Sequence, residues 1–472
     1  MLRIIDSEAW GTTAATRIPF RYGIAEMTHA PHVVVQVRLE VDGRSGLGWA
    51  SEHLPPKWFI KDPAQTFEAE ARILTRSVLA AAAAATGLTA ASPFALWREL
   101  DQAQREWAQH EGCSGLVAGL GVALIERALI DAFCRLADLP FADALASGAL
   151  GFDATAVHPE LDGAPFRPAR RRQLAVRHTV GLSDPLLDGE VTGDPGDGLP
   201  VSVAAAIRRD GVSRFKLKTT GDAEADVERI AQLLSLCTQD GVAARFTIDG
   251  NESMHTADHL IGWVDALRSA PALAGLWPRL DAIEQPLHRS VALGAPAQAA
   301  LAELGHTIPV IIDESDDLVE SVREAMDLGY AGGTYKGCKG VFRGVANAAL
   351  VAARRSPERP TVLTAEDLCT VPPLTVPQDL VVASAIGLEH IERNGHHFFG
   401  RFAPLQPGLD VRMAQAHPDL YRNDGGIVRL RITHGRLDLA SALRAPFGVT
   451  PTIDPGSLPE LTEEAVAEFA RA

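Results

Sequence analysis

The sequence predicts an α/β fold built around a closed parallel barrel, and three observations carry that expectation. From about residue 174, eight short apolar runs alternate with helical segments, the pattern of a parallel sheet covered by helices. Successive runs close on ionisable residues, first Lys216 and Lys218, then Asp249, Glu284, Asp313 and Lys336, and barrel strands collect such ends on one face. No Gly-rich phosphate turn, the mark of many open doubly wound sheets, follows the first run.

Each element has its own justification. Residues 1 to about 60 read as strands: Val33–Val41 is β-branched and partly alternating, Asp42-Gly43 marks a turn, and Gly46-Leu47-Gly48-Trp49-Ala50 begins the return strand of a hairpin. From about 66 to 138 the spacing is helical; Leu116–Leu139 has apolar residues at helical intervals, with Glu126, Arg127, Asp131 and Arg135 among them. Residues 151–173, rich in Pro, Gly and Arg, and residues 184–200, with several Gly and Asp, read as loops. The eight strand candidates are Leu174–Val180, Arg214–Lys218, Arg245–Asp249, Ala282–Glu284, Pro309–Asp313, Gly333–Lys336, Thr361–Thr364 and Gly387–Ile391. Helices are expected between them, at Ala223–Leu236, Thr256–Ser269, Leu318–Leu328 and Phe342–Arg354 among others. Beyond about 401, Ile427–Ile432 followed by His434-Gly435 reads as a strand and turn outside the barrel, able to pair with the N-terminal sheet.

Composition narrows the function. At 472 residues, 46% hydrophobic and 22% charged, the chain reads as an ordinary soluble globular protein. A net charge of −16 argues against a nucleic-acid partner, which needs a basic surface. The five cysteines are scattered, without CxxC spacing, as free thiols in a reducing compartment would be. No signal peptide is seen at Met1–Asp6, and the alanine-rich run Leu79–Ala91 is too short to span a bilayer. A cytoplasmic enzyme is the expectation.

The strand ends carry the chemistry. Lys216 and Lys218 share one strand face, because alternate residues point the same way. Two neighbouring ammonium groups are expected to lower each other's pKa, and a lysine so lowered can act as a base. Three carboxylates meeting on one barrel face repel unless a cation sits among them. Oxygen donors with room left for water and substrate suit Mg²⁺, with Mn²⁺ as the alternative. Strands two and six lie roughly opposite in a ring of eight, so Lys218 and Lys336 are expected to flank that metal. A bound substrate carboxylate would then have one lysine on each face of its α-carbon. Removing the weakly acidic α-proton makes a doubly negative enediolate, which a divalent cation and ammonium groups stabilise. Taken singly, each residue is more often a helix cap or a solvated charge; their order at one-unit spacing argues for a site.

This ordered set resembles the enolase superfamily, in its mandelate racemase and muconate lactonizing enzyme branch. Pro19-Phe20-Arg21-Tyr22-Gly23 and Gly46-Leu47-Gly48-Trp49 look like its N-terminal cap, Arg127–Ala132 like the helix before its barrel, and Gly435-Arg436-Leu437 with Ala445–Val449 like its returning tail. The resemblance implies a modified (β/α)7β TIM barrel over residues 174–400, an α+β capping domain over 1–140, a loop or insertion over 141–173, and a segment 401–472 that returns to the cap. It implies Asp249, Glu284 and Asp313 as Mg²⁺ ligands, Lys218 as one acid/base, and Lys336 as the opposite acid/base or a cation stabilising the enediolate. Lys216 would contact the substrate carboxylate and tune its neighbour, while Asn251 and Glu314 would either support the ligands from behind or face the substrate. Homo-oligomerisation is implied as well.

Some segments depart from the pattern. Strand seven runs into Ala365-Glu366-Asp367, and with Lys336 on strand six this disfavours a His–Asp pair; Glu366 becomes a candidate substrate contact. Dipeptide epimerases usually carry Asp-x-Asp after strand eight, and Leu388–Phe399 has none. The polar run from His390 to His397 offers His390 as a substrate contact or, equally, only caps the strand. Thr28–His32 and Ser51–Phe59 stand where two cap loops close over the barrel, with His53 a candidate contact. Racemisation or epimerisation of a small carboxylate is the first expectation. The alternatives are a lyase, such as a dehydratase, cycloisomerase or succinylbenzoate-synthase-like enzyme, or a barrel that only binds.

Overall fold

The computed structural model describes residues 1–161, 163, 165–305 and 308–471, so residues 162 and 164 of the expected loop over 151–173 lie outside the described residues. The N-terminal region is an antiparallel sheet in which β1 (Leu2–Tyr22), β2 (Ala25–Val41) and β3 (Arg44–His53) pair in sequence, with the short β4 (Thr89–Ala90) on the other edge of β1. The β2–β3 hairpin turns on Asp42 and Gly43, both at positive φ, 48° and 81°, a backbone whose twist matches the strands it joins. His29 and His32, expected in a loop, lie within β2 because the apolar strand pattern begins earlier than Val33.

Three helices cover this sheet: α1 (Phe67–Ala85), α2 (Pro93–Glu111) and α3 (Gly115–Ala137). Each begins at a Thr or Ser whose side chain accepts a backbone N–H three residues on, at Thr66, Ser92 and Ser114. Helix α3 is almost wholly buried because it is wedged between sheet and barrel. On the sheet side, a Cβ at Gly48 would sit 2.2 Å from the Ala128 carbonyl oxygen, so only glycine lets β3 approach this closely. Arg127 pairs with Glu52 at 3.1 Å, and Asp131 accepts the Trp49 N–H at 3.1 Å. On the barrel side, the Glu126 carboxylate accepts the N–H groups of Val341 and Phe342 at 2.9 and 2.6 Å, capping the helix Val341–Ala353.

Eight parallel strands make the barrel: β5 (Gln173–Val180), β6 (Arg214–Lys218), β7 (Arg245–Asp249), β8 (Leu280–Glu284), β9 (Val310–Ile312), β10 (Gly332–Tyr335), β11 (Val362–Ala365) and β12 (His390–Arg393). They pair in ring order from β12 through β5 to β11, which gives the expected (β/α)7β barrel with its cap. Among the described residues no ladder joins β11 to β12; side chains bridge that seam instead. Arg177 of β5 donates to the Ala365 carbonyl at 3.1 Å, the Asp367 N–H reaches the Glu392 carboxylate at 3.2 Å, and Asp367 accepts the Asn394 N–H at 2.9 Å.

The tail differs from expectation. Strands β13 (Tyr421–Asp424) and β14 (Ile427–Leu430) pair with each other, and β15 (Arg436–Asp438) runs antiparallel to the foot of β5. The strand expected over Ile427–Ile432 therefore does not join the N-terminal sheet; the Gly425-Gly426 turn, with both residues at positive φ, folds it back on its own neighbour. The return to the cap comes later. Gly11 N–H donates to the Pro459 carbonyl at 3.0 Å, Leu461 N–H to that of Ala9 at 2.9 Å, and the helix Glu463–Phe469 packs on α1. Among the described residues, no helix is long and apolar enough to cross a membrane.

Candidate active site

The ladder register sets Lys218 beside Asp249 and Asp249 beside Glu284, so these side chains emerge together at the C-terminal face. Lys216 lies one layer deeper. Its Nζ is 2.7 Å from Glu284, 2.7 Å from Glu366, 3.0 Å from Asp249 and 3.1 Å from Glu392. Burial works against its charge, but these four carboxylates outweigh burial and hold the ammonium well above the ordinary lysine value. The expected mutual lowering of the two lysines is thereby overturned for Lys216, because anions surround it more closely than its neighbouring cation does. Lys218 Nζ donates to Asp249 Oδ2 at 2.6 Å.

The opposite wall is built on Asp313. Gln285 orients it: the Gln285 side-chain oxygen accepts the N–H groups of Asp313 and Ser315 at 2.7 and 3.1 Å. The Asp313 carboxylate then takes Lys336 Nζ at 2.8 Å, Lys339 Nζ at 2.8 Å and the Thr334 hydroxyl at 2.7 Å. Although burial opposes ionisation, Lys336 and Lys339 hold Asp313 well below the usual carboxylate range. Lys336 also sits 4.2 Å from the ring centre of Trp58, a cation–π distance. Glu314 points elsewhere, accepting from the Asn251 side-chain amide at 3.1 Å, while the Asn251 N–H donates to Asp249 at 2.8 Å. The two candidate substrate contacts Asn251 and Glu314 thus brace each other next to the carboxylates.

A small cavity of about 30 Å³ lies between these walls, with Lys216, Lys218 and Lys336 all on its lining. The cap closes it with Phe20, Tyr22, Pro55 and Trp58, and the loops after β11 and β12 add Asp367, Leu368, Cys369, Glu392 and Asn394. Sequence reasoning missed Lys339, Asp367 and Asn394 as site neighbours and named Trp58 only within a cap loop. The Lys336-Gly-Cys-Lys339 spacing, one turn of 3₁₀ helix, was a signal for the first of them.

None of the five candidate substrate contacts lines this cavity; Asn251 lines a separate one. His390 opens β12 rather than closing it, because the strand begins three residues later than the expected Gly387–Ile391. It sits at the N-terminal face, taking a hydrogen bond from Arg177 at 2.9 Å, so the expectation that it touches substrate is corrected. His53 is fully buried behind the cavity wall, with Nδ1 2.8 Å from the Cys369 carbonyl and its ring against His32 and Phe399. Burial lowers it to about 4. Glu366 is also fully buried, bound to Lys216, Arg177 and Thr364 in the barrel floor. His396 and His397 follow β12 and pack around His178 instead.

Asp249, Glu284 and Asp313 suit a hard divalent cation by donor type. Glu284 Oε2 is buried with no hydrogen-bond partner, and burial together with Asp249 and Glu366 pushes the Glu284 carboxyl well up, the mark of a place short of positive charge. Among the described residues, no three His, Cys, Asp or Glu stand close enough to ligate one ion as placed. Lys216, Lys218, Lys336 and Lys339 supply part of the balancing charge.

Residues 200–353 match the family described as enolase C-terminal domain-like. Comparison with curated proteins gives no match. Solved structures match along nearly the whole chain. A mandelate racemase/muconate lactonizing protein from Herpetosiphon aurantiacus is similar at 18% identity and TM-score 0.60, covering 96% of this chain and 99% of its own. A muconate lactonizing enzyme from Pseudomonas fluorescens, complexed with muconolactone, aligns at 18% identity and TM-score 0.58, covering 99% of both chains. A dipeptide epimerase from Cytophaga hutchinsonii, complexed with Mg and the dipeptide D-Ala-L-Val, aligns at 16% identity and TM-score 0.58, covering 97% and 99%. At these identities the shared property is the fold.

Proposed function

We propose, for a chain whose barrel belongs to the enolase C-terminal domain-like family, that this site removes the proton α to the carboxylate of a small substrate. Racemisation or epimerisation is the reaction favoured. One observation carries the reading: Lys218, at the end of β6, and Lys336, just past β10, line the same small cavity from strands four places apart in the ring. A substrate held between them would expose one face of its α-carbon to each amine, so one lysine takes the proton and the other returns it.

Asp249, Glu284 and Asp313 would hold Mg²⁺, or Mn²⁺ in its place, which when bound supplies positive charge to the substrate carboxylate. The protein's own groups do the rest. Lys216, held charged by four carboxylates, keeps the barrel floor cationic beneath the reacting carboxylate. Gln285 and Thr334 orient Asp313, and Asn251 orients Asp249. Phe20, Tyr22, Trp58 and Leu368 keep water from the cavity.

The same pair of lysines also serves a lyase or cycloisomerase, with one as base and the other stabilising charge. The muconolactone complex of the Pseudomonas fluorescens relative keeps that reading open. Incubating a panel of chiral 2-substituted carboxylates with enzyme and Mg²⁺ in D₂O separates the outcomes. Deuterium at the α-carbon with loss of optical activity supports racemisation. Exchange accompanied by an alkene or lactone supports the second reading. No exchange across the panel, with metal bound, leaves a binding protein.

A further inference from the structure

Outside the barrel wall, a narrow cleft of about 30 Å³ opens between the end of β12 and the β13–β14 hairpin. Four arginines line it: Arg393 from β12, Arg401 from the segment beyond it, and Arg422 and Arg429 from the hairpin. Arg393 and Arg429 are 1% and 6% exposed, so both guanidinium groups are withdrawn from bulk water.

Their hydrogen bonds are incomplete. Arg429 gives one Nη2 hydrogen bond to the Asp197 carbonyl at 3.0 Å, and its Nε and Nη1 have no partner. Arg393 gives Nε to the Glu392 carbonyl at 2.6 Å and lies 3.3 Å from Asp367 and 3.8 Å from Asp379 through Nη2, but its Nη1 has no partner. The neighbouring His396 Nδ1 is unpartnered too. Arg401 is exposed and makes no ion pair among the described residues. The carboxylates nearby do not make up the difference: Asp424 is taken by Arg422 and Arg209, at 3.0 and 3.1 Å, and Asp210 is the lone acid on the lining. A buried donor without an acceptor is costly, more so when charged, so several such donors facing one cleft mark a missing acceptor.

We propose that this cleft binds an oxyanion, a phosphate or carboxylate group held by Arg429, Arg393 and Arg401. Planar guanidinium forks match the oxygens of both groups two at a time. Burial holds the Arg429 guanidinium below its ordinary value even though Asp197 and Asp424 stand near it. The anion would also tie the hairpin to the end of β12, since Arg422 and Arg429 belong to one and Arg393 to the other.

Calorimetric titration of the full-length protein with inorganic phosphate, and separately with malonate, tests this against chloride at matched ionic strength. Saturable binding to the wild type is expected, weakened at least about tenfold in both Arg429→Gln and Arg401→Gln. Arg401 is on the surface, so its variant folds whatever becomes of the other. Binding by phosphate alone or malonate alone assigns the group; either supports the site. No binding beyond that of chloride, or binding undiminished in both variants, overturns it.

Discussion

Lys216 and Lys218 place their ammonium groups on one atom: Asp249 Oδ2 lies 3.0 Å from Lys216 Nζ and 2.6 Å from Lys218 Nζ. Two residues apart on β6, they nonetheless occupy different surroundings. Lys216 has three further carboxylates, whereas Lys218 has Asp249 as its one salt-bridge partner among the described residues. The deeper lysine is locked as a cation and the shallower one is free to exchange partners, which divides structural charge from proton transfer.

Removing the deep cation should damage the fold before the chemistry. Lys216→Met leaves Glu284, Glu366, Glu392 and Asp249 facing one another in a dry interior. Breaking a buried pair in this way costs about 3–5 kcal/mol. Urea denaturation measures the loss, and added Mg²⁺ should recover part of it. Wild type stripped of metal should lose activity yet unfold in one cooperative step, because its lysines already balance part of the carboxylate charge. A Lys216→Met protein as stable as wild type in metal-free buffer would contradict the assignment.

Lys218→Ala and Lys336→Ala should each lower turnover by about 10²–10⁴-fold. If two bases operate, each variant loses α-proton exchange from one substrate enantiomer and retains it from the other. NMR in D₂O reads both rates. Equal losses from both enantiomers would sink the two-base mechanism while leaving a one-base reaction standing.

Trp58 should matter through Lys336. Its ring lies 4.2 Å from the ammonium and forms part of the cavity lid. A desolvated cation–π contact is worth about 2 kcal/mol, so Trp58→Ala should lower kcat/KM by roughly tenfold or more, whereas Trp58→Phe keeps most of it. Unchanged kinetics in Trp58→Ala would show that the lid leaves the lysine alone.

Acid should destabilise the protein through its buried histidines. Burial lowers His178 to about 4, while the unfolded chain has a histidine near 6.5. Between those values the unfolded chain binds a proton that the folded chain refuses. Stability is therefore complete above pH 6.5 and falls as pH drops toward 4. Neither ring nitrogen of His178 has a hydrogen-bond partner, so His178→Phe sacrifices none. It should reduce the slope of unfolding free energy against pH by up to about 1.4 kcal/mol per pH unit. An unchanged slope between pH 6 and 5 would place the titration elsewhere.

The barrel was legible because its strands are short, apolar and separated by helices of regular spacing. Arg214–Lys218 and Arg245–Asp249 match their expected bounds. The eighth strand was not, since Gly387 and Leu388 look as strand-like as Ile391 when only local composition is visible. Its true register comes from pairing with β5, which aligns His390 with Ala175 and Arg393 with His178, and that three-residue shift sends His390 to the wrong face for a substrate.

By itself the sequence determined the order of chemical groups: two lysines, three carboxylates and a further lysine, one strand end at a time. Strand periodicity makes those residues converge on one barrel face whatever the details of packing. Only the tertiary structure decided what each group feels. Asp249 and Glu284 from the next two strands, joined by Glu366 and Glu392 from some 150 residues or more beyond Lys216, reverse the pKa shift that the adjacent lysine alone would cause. A residue's neighbours along the chain set its direction, but the charges across the barrel, which no local pattern records, set its protonation.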